Sequence, residues 1–240
     1  MNIALLGNGK TGSHVRTLAA DMPGVRVTVF DRSHPPLRQS LAGHDAVISF
    51  LPGPAFLSFL PELMACRLPV VSGSTGFDWP GGREEFSRKI SKTGLHWVHA
   101  SNFSIGMSLI HEMIQILSLA GTLYDEYAFS IHEVHHKNKK DAPSGTALAW
   151  RDWLGAEAET TSERTGDVIG EHELTLTTPY EQIRLRHVAG DRKLFASGAL
   201  WTVRQVHHGD LLPGPGLYDL QQLVFRHLKR YGRLHTGRAN

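Results

Sequence analysis

The sequence predicts an α/β protein in two parts: a parallel-sheet domain and an α+β domain with a mixed sheet. Three observations predict it. Short apolar runs alternate with amphipathic segments over the first hundred residues, the texture of βαβ units. A glycine-rich turn follows the first of those runs. After Phe103 the pattern changes to longer runs in which apolar and polar residues alternate, as in sheets covered on one face. With 240 residues the chain is long enough for two modest cores.

Residues 3–6 read as a buried strand entering the glycine turn, with a helix from about 13 to 21. Further short apolar strands follow at 25–30, 46–50, 69–72 and 95–99. Residues 105–121 carry Ile105, Leu109, Met113, Ile116, Leu117 and Ala120 at helical spacing. Alternation marks strands at 127–131, 172–176 and 183–188. Pro143-Ser144-Gly145-Thr146 opens a helix that runs to about Leu154. Pro213-Gly214-Pro215-Gly216 forms a turn before a closing helix at about 217–229. The expected domains are 1–103 with 213–240, and 104–212, with the closing helix returning to the first.

Composition narrows the function classes. Hydrophobic residues are 41% and charged residues 20%, the balance of a globular chain and not of a disordered one. A formal net charge of +2 is no polycation, so a nucleic-acid partner is not expected. The single cysteine, Cys66, excludes an internal disulfide framework and a multi-cysteine zinc site. No targeting segment is visible before the first strand. Pro52, Gly53, Pro54, Pro61 and Glu62 interrupt the apolar stretch 46–66, too often for one spanning helix of about 20 residues. A cytoplasmic protein without a membrane partner is expected.

The glycine turn carries the first chemical signal. Gly7-Asn8-Gly9-Lys10-Thr11-Gly12 matches G-x-G-x-x-G between a strand and a helix. Glycines allow the tight turn and let the backbone approach a pyrophosphate, while the helix start supplies N–H donors. Asp31 closes the second strand about 20 residues later, where an acid holds a ribose 2′-OH. Arg32 and Lys10 are cations within reach of a 2′-phosphate. These residues point to NADH and NADPH as cofactors. The P-loop spacing is absent.

Fifteen histidines invite a metal reading, and His132-Glu133-Val134-His135-His136 formally matches H-E-x-x-H. That zinc motif needs a helix, which brings its two histidines onto one face. Tyr127, Phe129 and Ile131 alternate with polar or small residues here. On a strand, residues four apart lie about 13 Å from each other. No metal is expected. The longer segment 133–147 fits another chemistry. His135, His136, Lys137, Lys139 and Lys140 are followed by Ser144, Gly145 and Thr146 at a helix start. Such a set suits a small dicarboxylate, and a histidine in it can move a proton near neutral pH. A solvated basic loop and a nucleic-acid patch are the alternatives. The absence of interleaved aromatics weighs against the second.

The segment Glu133-Val134-His135-His136-Lys137-Asn138-Lys139-Lys140-Asp141-Ala142-Pro143-Ser144-Gly145-Thr146-Ala147 resembles the E-x-H-H-x-x-K-x-D-A-P-S-G-T-A signature of the dihydrodipicolinate reductases, also called 4-hydroxy-tetrahydrodipicolinate reductases. Further matches follow in order. Gly73-Ser74-Thr75-Gly76-Phe77 resembles G-T-T-G-F, and Asn102-Phe103-Ser104-Ile105-Gly106 resembles N-F-S-x-G. Gly170-Glu171-His172-Glu173 and Phe195-Ala196-Ser197-Gly198-Ala199 also match. The glycine loop is one residue shorter than the common form.

The resemblance implies a Rossmann-like dinucleotide-binding domain at 1–103 and 213–240, and a substrate-binding and oligomerisation domain at 104–212. It implies NAD(P)H-dependent reduction of a cyclic imine dicarboxylate in the lysine and diaminopimelate pathway. By carry-over, His135 is the acid/base and Lys139 a proton donor and carboxylate anchor. His136, Ser144, Gly145 and Thr146 bind substrate. Gly73, Ser74 and Thr75, with Ala100, Ser101, Asn102 and Phe103, line the nicotinamide side, and Phe50 packs near the ring. The resemblance puts His172 and Arg192 within reach of the cleft without assigning either a role. A homotetramer joined through the second domains' sheets is implied. Another amino-acid dehydrogenase on the same scaffold and a non-catalytic NAD(P)-binding redox sensor are the competing readings; the His135/Lys139 pair argues against the sensor.

Overall fold

The structure is a computed structural model that describes residues 1–209 and 211–236. Residues 237–240 of the expected first domain lie outside the described residues. The chain divides into two units, Met1–Ile105 with Lys193–Asn240, and Gly106–Arg192.

The first unit begins with β1 (Asn2–Leu6), α1 (Lys10–Ala20), β2 (Arg26–Phe30), α2 (Arg38–Leu41), β3 (Ala46–Ser49), α3 (Gly53–Ala65), β4 (Val70–Ser72), α4 (Arg83–Thr93) and β5 (His96–His99). The second unit follows with α5 (Ile105–Leu117, whose first residue belongs to the first unit), a 3-10 turn (Ser118–Thr122), β6 (Ala128–His135), α6 (Gly145–Leu154), β7 (Ala158–Arg164), β8 (Glu171–Thr177) and β9 (Gln182–Val188). The chain then re-enters the first unit with α7 (Lys193–His208), β10 (Gly216–Asp219) and α8 (Leu220–Thr236).

The first unit is built on a six-stranded parallel sheet in the order β10-β5-β4-β3-β1-β2. Both faces are covered, which is why its strands read as unbroken apolar runs. Ile3 and Leu5 of β1 enter a core with Val15 of α1, Leu200 and Val203 of α7, and Leu223 of α8. Ala4 and Leu6 point the other way, to Phe56 and Leu63 of α3 and to Phe86 and Ile90 of α4. The two-residue period of a strand thus supplies two cores from one run.

Three assignments differ from the sequence expectation. The return to the first unit comes at Lys193, not 213, because α7 buries Ala196, Ala199, Leu200, Val203 and Val206 in the first unit's core. Residues 216–219 form an edge strand on β5, anchored by Gly216 N–H donating to Leu95 O at 2.8 Å. The closing helix therefore starts at Leu220. Helix α1 begins at Lys10 instead of Ser13, with Gly9 as its N-cap.

The second unit has a mixed four-stranded sheet in the order β7-β6-β8-β9, with β7 parallel to β6 and the others antiparallel. Its core joins Ile110 and Ile114 of α5, Trp150 and Leu154 of α6, Phe129 and Ile131 of β6, and Leu174 and Leu176 of β8. Residues 105–122 are long and apolar enough to cross a membrane by length and composition alone. Among the described residues this helix, and not 46–66, is the membrane-like window. Here its Met107, Ile110 and Ile114 sit in the second unit's core.

Candidate active site

The expected nucleotide residues gather at the carboxyl ends of the parallel strands, where open α/β sheets bind ligands. Gly7–Gly12 follow β1, Asp31 and Arg32 follow β2, Phe50 follows β3, Gly73–Thr75 follow β4, and Ala100–Phe103 follow β5. Gly7, Asn8, Gly9, Asp31, Arg32 and Phe50 line one cavity of about 590 Å³. Lys10, Thr11 and Gly12 lie beyond its lining, as do the residues after β4 and β5.

Each glycine of the turn has its own reason. Gly7 has φ +94°, open to glycine without strain. A Cβ on Gly12 would lie 2.0 Å from Gly7 O. A Cβ on Gly9 would meet nothing within 4 Å, which leaves its backbone open to a close ligand. No side chain caps the start of α1, so its first N–H groups and its dipole are available to an anion.

Asp31 Oδ1 accepts from the Ser33 hydroxyl at 2.6 Å, Ser33 N–H at 2.9 Å and His34 N–H at 3.2 Å. The Ser33 hydroxyl, then these N–H groups, hold its carboxyl below the usual range. It is therefore an ionised acceptor, with Oδ2 outside these bonds, suited to a ribose hydroxyl. Arg32 is exposed beside it. A pyrophosphate on the glycine turn and a ribose on Asp31 fit this donor and acceptor set.

Phe50 packs over Gly73, where a Cβ would fall 2.3 Å from the ring, and meets Phe103 edge-on at 5.9 Å between centroids. Ser74 is buried and tied to Ser49 Oγ at 3.1 Å. Asn102 Oδ1 accepts from Ser104 N–H at 2.8 Å, so its side chain shapes the turn after β5. Phe103 O is approached by α7, where a Cβ on Gly198 would lie 1.7 Å from it. That contact gives the Phe195–Ala199 motif a packing reason the sequence does not disclose.

The second cluster grows from β6. Its buried face carries Phe129, Ile131, Glu133 and His135 in alternation. The same face of β8 carries His172, Leu174 and Leu176, with His172 paired in register to Glu133. The strands' apolar face thus ends in three polar groups beside the start of α6. His132 points to the other face and bonds Thr161 Oγ1 at 2.9 Å. Residues 128–135 form a strand and not a helix, so His132 and His136 do not lie one helical turn apart on a common face.

Glu133 is fully buried. Its Oε2 bonds His135 Nδ1. Its Oε1 accepts from Arg164 Nη2 at 2.7 Å and from Ser144 N–H at 3.2 Å. Burial pushes this carboxyl up, but Arg164, Ser162 and His135 outweigh it and hold it at about 2. Burial lowers His135, and Glu133 opposes that shift. His172, buried and close to His135, is held at about 4 and is neutral at pH 7. The His135 and His172 ring centroids are 5.0 Å apart. Glu133, His135 and His172 have ligand atoms within 4.8 Å of one another. Glu133 Oε1 is already engaged by Arg164 and by the Ser144 N–H.

Lys139 Nζ donates to Asp141 at 2.9 Å. Ser144 caps α6, with Oγ accepting from Ala147 N–H at 3.2 Å and bonding His172 Nε2 at 3.0 Å. Its side chain is buried, and both of these contacts lie within the protein. Gly145 is exposed, and His136, Lys139 and Thr146 are half-buried. Sequence reasoning missed Arg164, His172 and the structural part of Glu133. The pairing of Glu133 with His172 is set by strand register, which the sequence does not print.

Comparison with known proteins identifies the family. The family described as "Dihydrodipicolinate reductase, C-terminus" matches residues 106–224. A 4-hydroxy-tetrahydrodipicolinate reductase of Xylella fastidiosa (strain M23) is 31% identical over 234 residues, covering 90% of this chain and 95% of that protein. The chain belongs to the dihydrodipicolinate reductase family. A reductase of the same name from Syntrophus aciditrophicus (strain SB) is 29% identical, covering 91% of this chain and 96% of that protein. Among solved structures, a dipicolinate-bound dihydrodipicolinate reductase from Paenisporosarcina sp. TG-14 superposes with a TM-score of 0.77 at 21% identity, covering 92% and 98% of the two chains. The diaminopimelate dehydrogenase of C. glutamicum shares the fold more distantly, with a TM-score of 0.57 at 12% identity over 96% and 98%. Members of the dihydrodipicolinate reductase family are oxidoreductases that use a nicotinamide nucleotide.

Proposed function

We propose that this chain reduces 4-hydroxy-tetrahydrodipicolinate to tetrahydrodipicolinate in lysine and diaminopimelate biosynthesis. The observation that carries this reading is the His135–Glu133 pair in the same loop region as Lys139 and the start of α6, inside a chain 31% identical to a named reductase over most of its length.

The first unit is the dinucleotide-binding domain and the second the substrate domain. Gly7, Asn8 and Gly9 hold the pyrophosphate, and Asp31 and Arg32 hold the adenosine ribose or its phosphate. Lys10, Thr11 and Gly12 start the supporting helix, and Phe50, Gly73–Thr75 and Ala100–Phe103 form the nicotinamide side. Bound there, NADPH or NADH supplies the hydride. His135 Nε2 handles the substrate proton, while Lys139 and His136 hold carboxylates. Gly145 and Thr146 offer N–H and hydroxyl donors at the helix start. A cation near the reacting ring stabilises charge that shifts as hydride arrives. Ser144 acts as cap and as partner of His172. The partner is a small cyclic dicarboxylate, with no nucleic acid, membrane or metal, in a cytoplasmic homotetramer.

The deciding experiment incubates the protein with freshly generated pathway intermediate and NADPH and follows loss of nicotinamide absorbance. Turnover is expected. Its absence, with turnover on another imino acid, moves the assignment to the second dehydrogenase reading.

A further inference from the structure

We propose that Glu133 is the positioning residue of the acid–base centre: it fixes His135 with a protonated Nδ1 toward the protein and Nε2 as the atom that takes up and releases the transferred proton, and through Arg164 it anchors the loop that bears Lys139. This inference rests on the reductase reading above.

An ionised carboxylate accepts hydrogen bonds and donates none. Glu133 Oε2 bonds His135 Nδ1, so that nitrogen carries the proton in the neutral ring. Nε2 then holds the lone pair, and a second proton taken there is the one that leaves without breaking the pair. Gly170 leaves room on that side, since a Cβ there would lie 2.9 Å from Nε2. A methyl group would press on the reacting nitrogen.

The other carboxylate oxygen reaches the second proposed catalytic group. Glu133 Oε1 accepts from Arg164 Nη2 at 2.7 Å, and the same nitrogen donates to Asp141 O at 2.6 Å. Asp141 in turn holds Lys139 Nζ at 2.9 Å. Glu133, Arg164, Asp141 and Lys139 therefore form one chain of contacts from His135 to the lysine. Two further bonds brace the loop to the segment after β7: Thr165 N–H to His135 O at 2.9 Å and Lys137 N–H to Gly166 O at 3.3 Å. A solvated basic loop would not need a buried carboxylate with both oxygens committed.

Burial, Lys139 and Arg164 oppose protonation of the His135 ring and Glu133 favours it, while the neutral His172 ring packs beside it. Removing the Glu133 charge leaves the opposing groups alone. A carboxylate that fixes a catalytic imidazole's tautomer contributes up to about 10⁴ in kcat.

The test uses ¹⁵N-histidine NMR on the free protein, with the His135 signals assigned by their loss in His135→Gln. Wild type is expected to show His135 as the Nδ1–H tautomer. The Nε2–H tautomer there overturns the proposal without any variant. In Glu133→Gln, the His135 titration midpoint is expected to fall by at least about one unit. The kcat is expected to fall at least tenfold, and nucleotide affinity to hold. An unmoved midpoint and tautomer in a variant with wild-type circular dichroism and nucleotide binding overturn it. Should that variant not fold, Arg164→Gln reads the second branch: kcat falls at least about fivefold with cofactor KM unchanged, and unchanged kcat removes the link to Lys139. The tautomer needs no substrate, so a failed reductase assay and a failed positioning role are told apart.

Discussion

A Cβ added to Gly12 would lie 2.0 Å from the carbonyl oxygen of Gly7, so α1 and the turn that launches it touch backbone to backbone. No side chain can swing aside to relieve that contact. Gly12→Ala is expected to destabilise the protein by about 1–3 kcal/mol or more through overpacking. Gly9→Ala puts its methyl in open space at an ordinary φ of −74°. It is expected to keep the wild-type Tm and weaken nucleotide binding, because the methyl stands where the pyrophosphate must approach. Thermal melts and a nucleotide titration on both variants check the pair. Wild-type affinity in Gly9→Ala would remove the close-approach role of that glycine.

The same turn shows what the sequence discloses and what it does not. G-x-G-x-x-G, the apolar runs and the acid at Asp31 are local patterns, and the structure brings Gly7, Gly9, Asp31 and Phe50 to one cavity. The alternation of Tyr127, Phe129 and Ile131 was equally legible as one strand face, whereas its continuation through Glu133 to His135 shows only in the structure. Helix α7 was not legible. Its segment carries the small residues Ala196, Ser197, Gly198 and Ala199 where it lies against the Phe103 carbonyl through Gly198, and small residues carry little periodic signal. Strand β7 also escaped, being a polar edge whose sequence AETTSER shows no apolar alternation. Arg164 at its end meets Glu133 only through the β6–β7 pairing. Long-range register of that kind has no local trace.

Kinetics separate the two units. His135→Gln and Lys139→Ala are each expected to lower kcat by about 10²–10⁴ with cofactor binding nearly unchanged, since neither residue lies on the nucleotide cavity. A near-normal kcat for Lys139→Ala at saturating substrate would end its catalytic role. A change confined to KM would make it a uniform binding group.

Acid stability follows from the buried network. His172 is held at about 4 against an ordinary 6.5, so its contribution is complete above pH 6.5 and is lost as pH falls toward 4. Glu133 is held at about 2 against 4.5; its contribution is complete above 4.5 and is lost as pH falls toward 2. Both signs agree: the protein loses stability on the acid side, by roughly 3 kcal/mol from His172 at most. The Tm of wild type is expected to drop between pH 6.5 and 4 more steeply than that of His172→Gln, which keeps a polar partner for Ser144 but does not titrate there. Parallel Tm curves for the two proteins would show that His172 is not the group that charges.

Cofactor choice is expected to turn on two adjacent exposed residues. Asp31, kept ionised by the Ser33 hydroxyl and the Ser33 and His34 N–H groups, accepts from a ribose 2′-OH and repels a 2′-phosphate. Arg32 beside it and Lys10 in the glycine turn are cations that attract that phosphate. Only Arg32 of the two cations lines the cavity, so Arg32 is the stronger determinant. Dual use is expected, with kcat/KM for NADPH and NADH within about tenfold, or roughly 1.4 kcal/mol. Arg32→Ala should weaken NADPH use and spare NADH. Asp31→Ala should weaken NADH use, with a further cost, since the same carboxylate closes the turn through Ser33 and His34. Asp31→Asn retains an acceptor for that turn and isolates the charge. Steady-state kinetics with both nucleotides on all three variants check this. Equal changes for the two cofactors in Arg32→Ala and Asp31→Asn would defeat the charge argument and assign preference to the shape of the shortened glycine loop.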